Sequence, residues 1–196
     1  MLGSGNHDVP AGHVAMVVTH LQMMAPAPTR DLPLADGITF RQVTPDLDWY
    51  RDIFSRVGAE WMWFGRLRMD DATLRGIIED PSVAIYTLAK DGQDEALLEL
   101  DFREDNACEL AYFGLTPKLI GSGAGRFLMD AAIRLAWAQP ISRFHVHTCT
   151  MDSPQALSFY MRSGFTPYRR QIEVAEDPRL HGLLARDAGP MMPIID

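Results

Sequence analysis

Three glycines at alternate positions form the strongest chemical signal in the sequence. Gly121, Gly123 and Gly125 lie between a predicted strand that ends at Leu115 and a predicted helix. Glycine lets the backbone approach a ligand closely and adopt positive φ angles. The helix that follows offers unpaired N–H groups and the positive end of its dipole. We therefore expect this loop to bind an anion such as a pyrophosphate.

Two common nucleotide-binding motifs do not account for this loop. A P-loop requires Lys and then Ser or Thr directly after its second glycine, but Arg126 and Phe127 follow Gly125. A dinucleotide fingerprint requires a third glycine where Arg126 stands, and an acidic residue at a strand end about 20 residues later, which is missing. Taken alone, the loop is also compatible with a glycine-rich turn that only permits tight packing of a strand against a helix.

A row of potential metal ligands alternates along one predicted strand. His145, His147 and Cys149 share a face of that strand because side chains repeat every second residue. Alternate residues are about 6.6 Å apart along a strand, so three in a row do not converge easily on one ion. We therefore predict no metal site. We expect His147 to be a core or hydrogen-bonded histidine rather than a catalytic one.

Hydrophobic periodicity predicts the elements that position these residues. A first group of strands has connections of hairpin length and is predicted to be antiparallel. From Pro117 onward, helices and strands alternate. This order predicts an α/β (α+β) fold in which a central mixed, mostly antiparallel sheet has helices on both faces. The predicted strands are Ile38–Val43, Val83–Ala89, Glu95–Arg103, Ala107–Leu115, Phe144–Thr150 and Phe165–Val174, and the predicted helices are Asp46–Val57, Asp70–Ile78, Gly123–Gln139 and Pro154–Gly164.

Composition limits the class of protein. The 196 residues carry a formal net charge of −8 and 47% hydrophobic residues, as expected of one globular domain. No part of the chain is basic over any length, which argues against a nucleic-acid partner. No run of apolar residues is long enough to span a membrane. The two cysteines are too few for a disulfide scaffold.

The first 37 residues are predicted to be an N-terminal extension, and 38–196 a single domain. The extension combines a strand at Val14–Met23 with a Pro- and Gly-punctuated linker at 25–37. The apolar run Ala11–Met24 has no Lys or Arg before it, so a signal peptide is not favoured and a cytoplasmic location is expected. The extra strand is expected to pair with a sheet edge in its own chain or in a partner, which leaves a homodimer possible.

Two segments together resemble the GNAT family of acyl-CoA-dependent N-acetyltransferases. The first is 121–126, in which Gly123 and Gly125 match the glycines of the family loop Gln/Arg-x-x-Gly-x-Gly/Ala. Ile120 stands where the family has Gln or Arg. Backbone amides would still bind a pyrophosphate, although a side-chain contact is lost.

The second segment, 153–165, follows in the order that the family has. It is similar to the pattern Asn-x-x-Ala-x-x-x-Tyr-x-x-x-Gly-Phe, with Ser153 in place of Asn, and the resemblance extends roughly from Ile38 to Val174. Two further stretches, 111–117 and 147–150, resemble a bacterial subgroup whose substrates are mostly unassigned. The matching residues of the second pattern are Ala156, Tyr160, Gly164 and Phe165.

The resemblance implies a GNAT fold with acetyl-CoA as cosubstrate. In that fold, the strand before the glycine loop and the next strand splay apart in a V. The pantetheine arm is expected along the strand that ends at Phe113–Leu115, and the pyrophosphate on the N–H groups of the loop. The implied acetyl-CoA-binding residues are Phe113, Leu115, Gly121, Ser122, Gly123, Ala124, Gly125 and Arg126.

The resemblance also implies the catalytic residues. Tyr160 matches the family tyrosine that protonates the thiolate leaving group. Glu109 is the leading candidate for the base, because histone-type members carry their catalytic glutamate at the same spacing before the glycines. Glu99 and Asp101 on the preceding strand are competitors, and a buried carboxylate there is expected to bind the acceptor ammonium. His147 is the alternative base or relay.

The acceptor is expected to be a small-molecule or amino-acid-like amine, attacked directly in a ternary complex. Trp61, Trp63 and Phe64 fall where the family covers its acceptor site, and they are equally compatible with cation–π contact and with core packing. Arg66 and Arg68 are candidates to pair an acceptor carboxylate. Two alternatives stay open: a non-catalytic module that binds acyl-CoA, and a protein or peptide N-acetyltransferase.

Overall fold

One sheet contains every strand of the part of the chain that the computed structural model describes, residues 3–30 and 32–196. The strands are β1 (His13–Met23), β2 (Ile38–Val43), β3 (Val83–Lys90), β4 (Gln93–Asp94), β5 (Ala96–Asp101), β6 (Ala107–Leu115), β7 (Arg143–Cys149) and β8 (Thr166–Glu176). The helices are α1 (Leu47–Gly58), α2 (Asp71–Ile78), α3 (Ala124–Trp137) and α4 (Ala156–Arg162), with 3₁₀ turns at Ala59–Trp61 and Pro117–Leu119.

The sheet is mixed and mostly antiparallel, as the sequence predicts. From one edge to the other its order is β2, β3, β5, β6, β7, β1 and β8, and the short β4 pairs with β3. Only β6 and β7 run parallel. Parallel neighbours need a crossover connection, and α3 supplies it.

Helices cover both faces of the sheet, which confirms the predicted layers. Leu97 of β5 and Ile53 of α1 belong to the same core, which lies beneath α1 and α2. The next residue, Leu98, belongs to the larger core formed with α3 and α4, which contains Leu128 and Tyr160. Successive residues of a strand point to opposite faces, so the two cores lie on opposite sides of the sheet.

The two parallel strands pair over only a short length. Their partners are Ala107 with Arg143, Cys108 with Phe144 and Glu109 with His145. Beyond the last of these pairs no further β6–β7 partners occur in the described residues. The strands therefore diverge toward the glycine loop, in the splay that the family resemblance implies.

β1 lies inside the sheet and not at its edge. It pairs antiparallel with β7 from Val18 to Met23 and with β8 from His13 to Gln22. Its Leu21 is fully buried in the large core. The strand pairs within its own chain, although the division of the chain at residue 37 stays a prediction.

The C-terminal segment packs against the other face of β1. Leu184 and Ala188 form a small core with Met16 of β1 and with Met62. Arg179 holds this segment in place, because its guanidinium pairs with Asp177 and donates to two backbone carbonyls further along the segment. This C-terminal segment, for which the sequence predicts no element, therefore supports the chain near Met62. No helix in residues 3–30 and 32–196 is long and apolar enough to cross a membrane.

A truncation in β1 tests whether this strand supports the fold. We expect Leu21→Ala to lower the free energy of unfolding by about 2–5 kcal/mol, because it empties a fully buried site in the large core. Urea denaturation measures the loss. The matched control is Val17→Ala on the same strand, where the side chain is 37% exposed and the cost is expected to stay below about 1 kcal/mol. Equal effects of the two changes would contradict the placement of β1.

Candidate active site

A cavity of about 390 Å³ lies where β6 and β7 diverge. Its wall includes the glycine loop, the end of β6, the face of α4 and the segment that follows α1. Most of the wall is apolar or aromatic. The lining residues are Met16, Val18, Val57, Trp61, Met62, Trp63, Phe64, Gly65, Leu110, Ala111, Tyr112, Phe113, Gly114, Leu115, Ile120, Gly125, Val146, His147, Cys149, Asp152, Ser153, Gln155, Ala156, Phe159, Tyr160 and Glu173.

The glycine loop presents free backbone donors at the start of α3. Within the described part of the chain, the N–H groups of Gly121, Gly123 and Gly125 have no hydrogen-bond partner. Gly123 precedes the helix with φ of 86°, a left-handed conformation that favours glycine. Ser122 stabilises the loop, since its hydroxyl donates to the Leu119 carbonyl at 2.7 Å. Three free donors at a helix N-terminus fit a pyrophosphate.

Phe113 and Leu115 line the cavity between the loop and its centre. The Phe113 ring stacks with Phe159 of α4, with ring centroids 5.7 Å apart. Gly125 leaves room beside Leu115, because an added Cβ would lie 3.4 Å from the Leu115 Cδ1 atom. Ile120 is 63% exposed at the same end. Phe113 and Leu115 therefore form an apolar channel wall beside Gly125.

Tyr160 lines the cavity from α4. Its ring is buried against Phe113 and Phe165. No described residue forms a hydrogen bond with its hydroxyl, so the group is available to a ligand. Burial raises the pKa of Tyr160, so the hydroxyl stays protonated and can donate.

Glu109, the predicted base, contacts the cavity only through a neighbouring residue, and its role stays a prediction. It does not line this cavity; it hydrogen bonds with His147 Nδ1 at 3.1 Å, and His147 does line the cavity. Strand alternation explains the pairing, since Glu109 lies beside His145 in the β6–β7 register and the strands then separate. The carboxylate thus reaches the cavity only through the imidazole ring.

The Glu109–His147 pair has a defined electrostatic state. A carboxylate only accepts, so the Nδ1–H of His147 donates to Glu109 and leaves Nε2 as an acceptor. The hydrogen bond with Glu109 raises the pKa of His147, and the same bond lowers the pKa of Glu109. The pair can therefore accept a proton at Nε2 and hold it as an imidazolium.

Glu99, expected to touch the acceptor, is already occupied. It is fully buried and outside the cavity lining. One carboxylate oxygen accepts from Arg66 and the other from the Tyr50 hydroxyl. Asp101, its competitor, is bound by Arg103. A buried carboxylate needs partners from its own chain, and here they leave no free oxygen for an ammonium.

Trp61 and Trp63, which fall where the family covers its acceptor site, both line the cavity and give it an aromatic wall. The Trp63 indole N–H donates to Asp152 Oδ1 at 3.1 Å. The other oxygen of Asp152 accepts from the Thr148 hydroxyl at 2.6 Å and from the Cys149 N–H at 2.9 Å. Asp152 was not predicted as a site residue, although its place just after β7 is a usual turn position for aspartate.

The side chains of His145 and His147 turn to different partners. The described residues contain no group of three or more metal-ligating side chains that converge. His145 turns to Glu104 at 3.1 Å, whereas His147 turns to Glu109. Burial raises the pKa of Cys149 to about 11, so its thiol stays protonated near neutral pH.

Comparisons with known proteins place this geometry in a family. The Acetyltransferase (GNAT) family model matches residues 47–165 of the chain. A mycothiol acetyltransferase from Jonesia denitrificans is 34% identical over 68 residues, which covers 35% of this chain and 21% of that protein.

Solved structures with the same fold are distant in sequence. A GCN5-related N-acetyltransferase from Sphaerobacter thermophilus superposes with a TM-score of 0.62 at 15% identity, over 84% of this chain and 53% of the other. An acetyltransferase of the GNAT family from Novosphingobium aromaticivorans gives a TM-score of 0.58 at 16% identity, over 87% and 69%. The chain therefore spans about a fifth of the curated relative and about half of the first of these structures.

A titration tests the Glu109–His147 pair without any assumption about activity. We expect Glu109→Gln to lower the pKa of His147, because the change removes a charged acceptor and its hydrogen bond. The pH dependence of the histidine ring signals in the NMR spectrum reports this pKa. The matched control is Glu104→Gln, which removes the partner of His145. A His147 pKa that shifts no more in the first variant than in the second would contradict the pairing.

Proposed function

The chain belongs to the GNAT acetyltransferase family, and on that premise we propose that it transfers an acetyl group from acetyl-CoA to the amine of a small molecule. One observation carries the proposal: Gly125 of the glycine loop, Tyr160 and His147, which is hydrogen bonded to Glu109, line the same cavity. Acetyl transfer needs an anion-binding loop, a proton donor and a base in the same cavity. The mycothiol acetyltransferase relative supports a small-molecule acceptor.

The loop and the apolar channel fit the two halves of acetyl-CoA. Its pyrophosphate is proposed on the N–H groups of Gly121, Gly123 and Gly125, with the exposed Arg126 adding positive charge. Its pantetheine arm is proposed along Phe113 and Leu115. Ser122 and Ala124 shape the loop rather than face the ligand, because the Ala124 N–H is directed to the Ser122 hydroxyl at 3.3 Å. Acetyl-CoA supplies the acetyl thioester.

His147 is proposed as the base that prepares the acceptor. An alkyl ammonium has a pKa of about 10, so a group must take its proton near neutral pH. The Nε2 atom of His147 is free to do so, and Glu109 stabilises the imidazolium that forms. Glu109 is then a positioning residue, because it acts through His147.

Tyr160 is proposed as the donor to the leaving group. The amine nitrogen bonds to the acetyl carbon, the carbon–sulfur bond breaks, and the thiolate takes the proton of the Tyr160 hydroxyl. This hydroxyl has no partner among the described residues that would compete. The nitrogen loses its second proton as the amide forms, and this proton restores the Tyr160 hydroxyl, while the proton that His147 received returns to solvent.

Binding of acetyl-CoA is the first prediction of this proposal. We expect Gly125→Asp to weaken acetyl-CoA binding by roughly tenfold or more, because it sets a carboxylate beside the donors proposed to hold the phosphates. Isothermal titration measures the dissociation constant. The control is Gly76→Asp in α2, where an added Cβ meets nothing within 4 Å. Equal affinity of the two variants would contradict the proposed position of the pyrophosphate.

Loss of the hydroxyl of Tyr160 tests catalysis. We expect Tyr160→Phe to lower kcat on the order of 100-fold while acetyl-CoA affinity changes little, because only proton donation is lost. Release of free CoA thiol with an amine panel measures the rate. The control is Tyr168→Phe on β8, an exposed tyrosine outside the cavity. Wild-type protein that binds acetyl-CoA but turns over no amine would favour the non-catalytic module, and turnover of peptides alone would favour the protein acetyltransferase.

A further inference from the structure

The charge of the cavity wall is entirely negative apart from one histidine. Asp152 and Glu173 are the carboxylates that line it, and His147 is the titratable base. No lysine or arginine of the described chain lines this cavity. The remaining lining residues are apolar, aromatic or uncharged. A ligand that enters beside the acetyl-CoA channel therefore meets negative charge and apolar surface.

The two arginines that were candidates for an acceptor carboxylate lie outside the cavity. Arg66 is buried and forms an ion pair with Glu99, and its guanidinium lies over the Tyr112 ring at 5.1 Å from the centroid. Arg68 lies over the ring of Phe64, 5.6 Å from its centroid, and is exposed to solvent. Neither arginine lines the cavity, and the guanidinium of Arg66 is already paired with Glu99.

The two carboxylates of the wall differ in what they can still bind. Both oxygens of Asp152 accept hydrogen bonds from the protein, including the one from Trp63. Glu173 is exposed on β8, opposite Met16 of β1, and no cation of the described residues is within ion-pair distance of it. Its charge acts on His147, whose pKa it helps to raise. Of the two carboxylates that line the cavity, Glu173 is therefore the one that is free to bind an ammonium.

Resting on the proposed function, we propose that the acceptor is a primary amine with an apolar or aromatic body and no carboxylate, and that Glu173 selects it by its positive charge. The ammonium lies between Glu173 and His147, which takes its proton. The body of the acceptor packs against Trp61, Trp63 and Phe64. An amino acid would bring a second carboxylate into a cavity that has no cation to pair it, and an unpaired carboxylate in such a site is unfavourable.

Matched pairs of acceptors test this class. Phenethylamine and phenylalanine differ only in the carboxylate, and so do tryptamine and tryptophan. We expect kcat/KM for each amine to exceed that of its amino acid on the order of 100-fold, because only the amino acid leaves an unpaired charge. Release of free CoA thiol measures the rates. Equal values, or a preference for the amino acids, would overturn the acceptor class.

A single substitution tests the role of Glu173. We expect Glu173→Gln to raise the KM of phenethylamine roughly tenfold and to narrow the ratio of kcat/KM between amine and amino acid. The control is Glu176→Gln on the same strand, a carboxylate outside the cavity lining, which is expected to change neither value. An unchanged KM in the Glu173 variant would overturn its selective role.

Two binding measurements separate this inference from the function on which it rests. Thermal shift with acetyl-CoA alone tests the proposed function, and no shift would overturn both proposals. If acetyl-CoA binds, calorimetry with the CoA-loaded protein compares phenethylamine with phenylalanine without the need for turnover. Binding of the amine alone supports the acceptor class. Equal binding of both, or of neither, overturns the acceptor class and leaves the binding of acetyl-CoA intact.

Discussion

The separation of β6 from β7 is the constraint on which the rest of the structure depends. A strand that leaves its neighbour exposes backbone groups, and it needs other partners to stay ordered. β7 has them, because β1 pairs with its other edge from Val18 to Met23. β7 therefore keeps one complete ladder while its β6 side opens into the cavity. The N-terminal strand thus supports the active site although it supplies little of the site's proposed chemistry.

A buried charged group supports the opposite wall of the same cavity. Glu99 on β5 binds Arg66 and Tyr50, and Arg66 lies over the ring of Tyr112. Removal of one partner from such a group leaves an uncompensated buried charge, so the segment that carries Arg66 is held firmly to the sheet. That segment follows directly on Trp61 and Trp63. Glu99, which was expected to bind the acceptor, instead helps to position the aromatic wall of Trp61 and Trp63.

The local signals of the sequence predicted much of the fold and part of the site. Strand and helix positions follow from periodicity, and the loop before α3 follows from its glycines, because both depend on residues close together in the chain. The predicted base shows where this reasoning ends. Glu109 and His147 are 38 residues apart in sequence and meet only across two strands, so only their register shows that the imidazole faces the cavity. No local sequence motif marks Glu173, so the sequence did not predict it as a site residue.

By itself, the sequence determined the class of fold, the position of the glycine loop before α3 and that of the tyrosine of α4, because each depends on short-range backbone geometry or on a contiguous motif. Tertiary structure alone decided which charges meet. It buried Glu99 against Arg66, turned Glu109 to His147 and left Glu173 without an ion-pair partner in residues 3–30 and 32–196. The physical reason is that a carboxylate's role depends on its neighbours and its exposure, and the pairing of distant strands sets both.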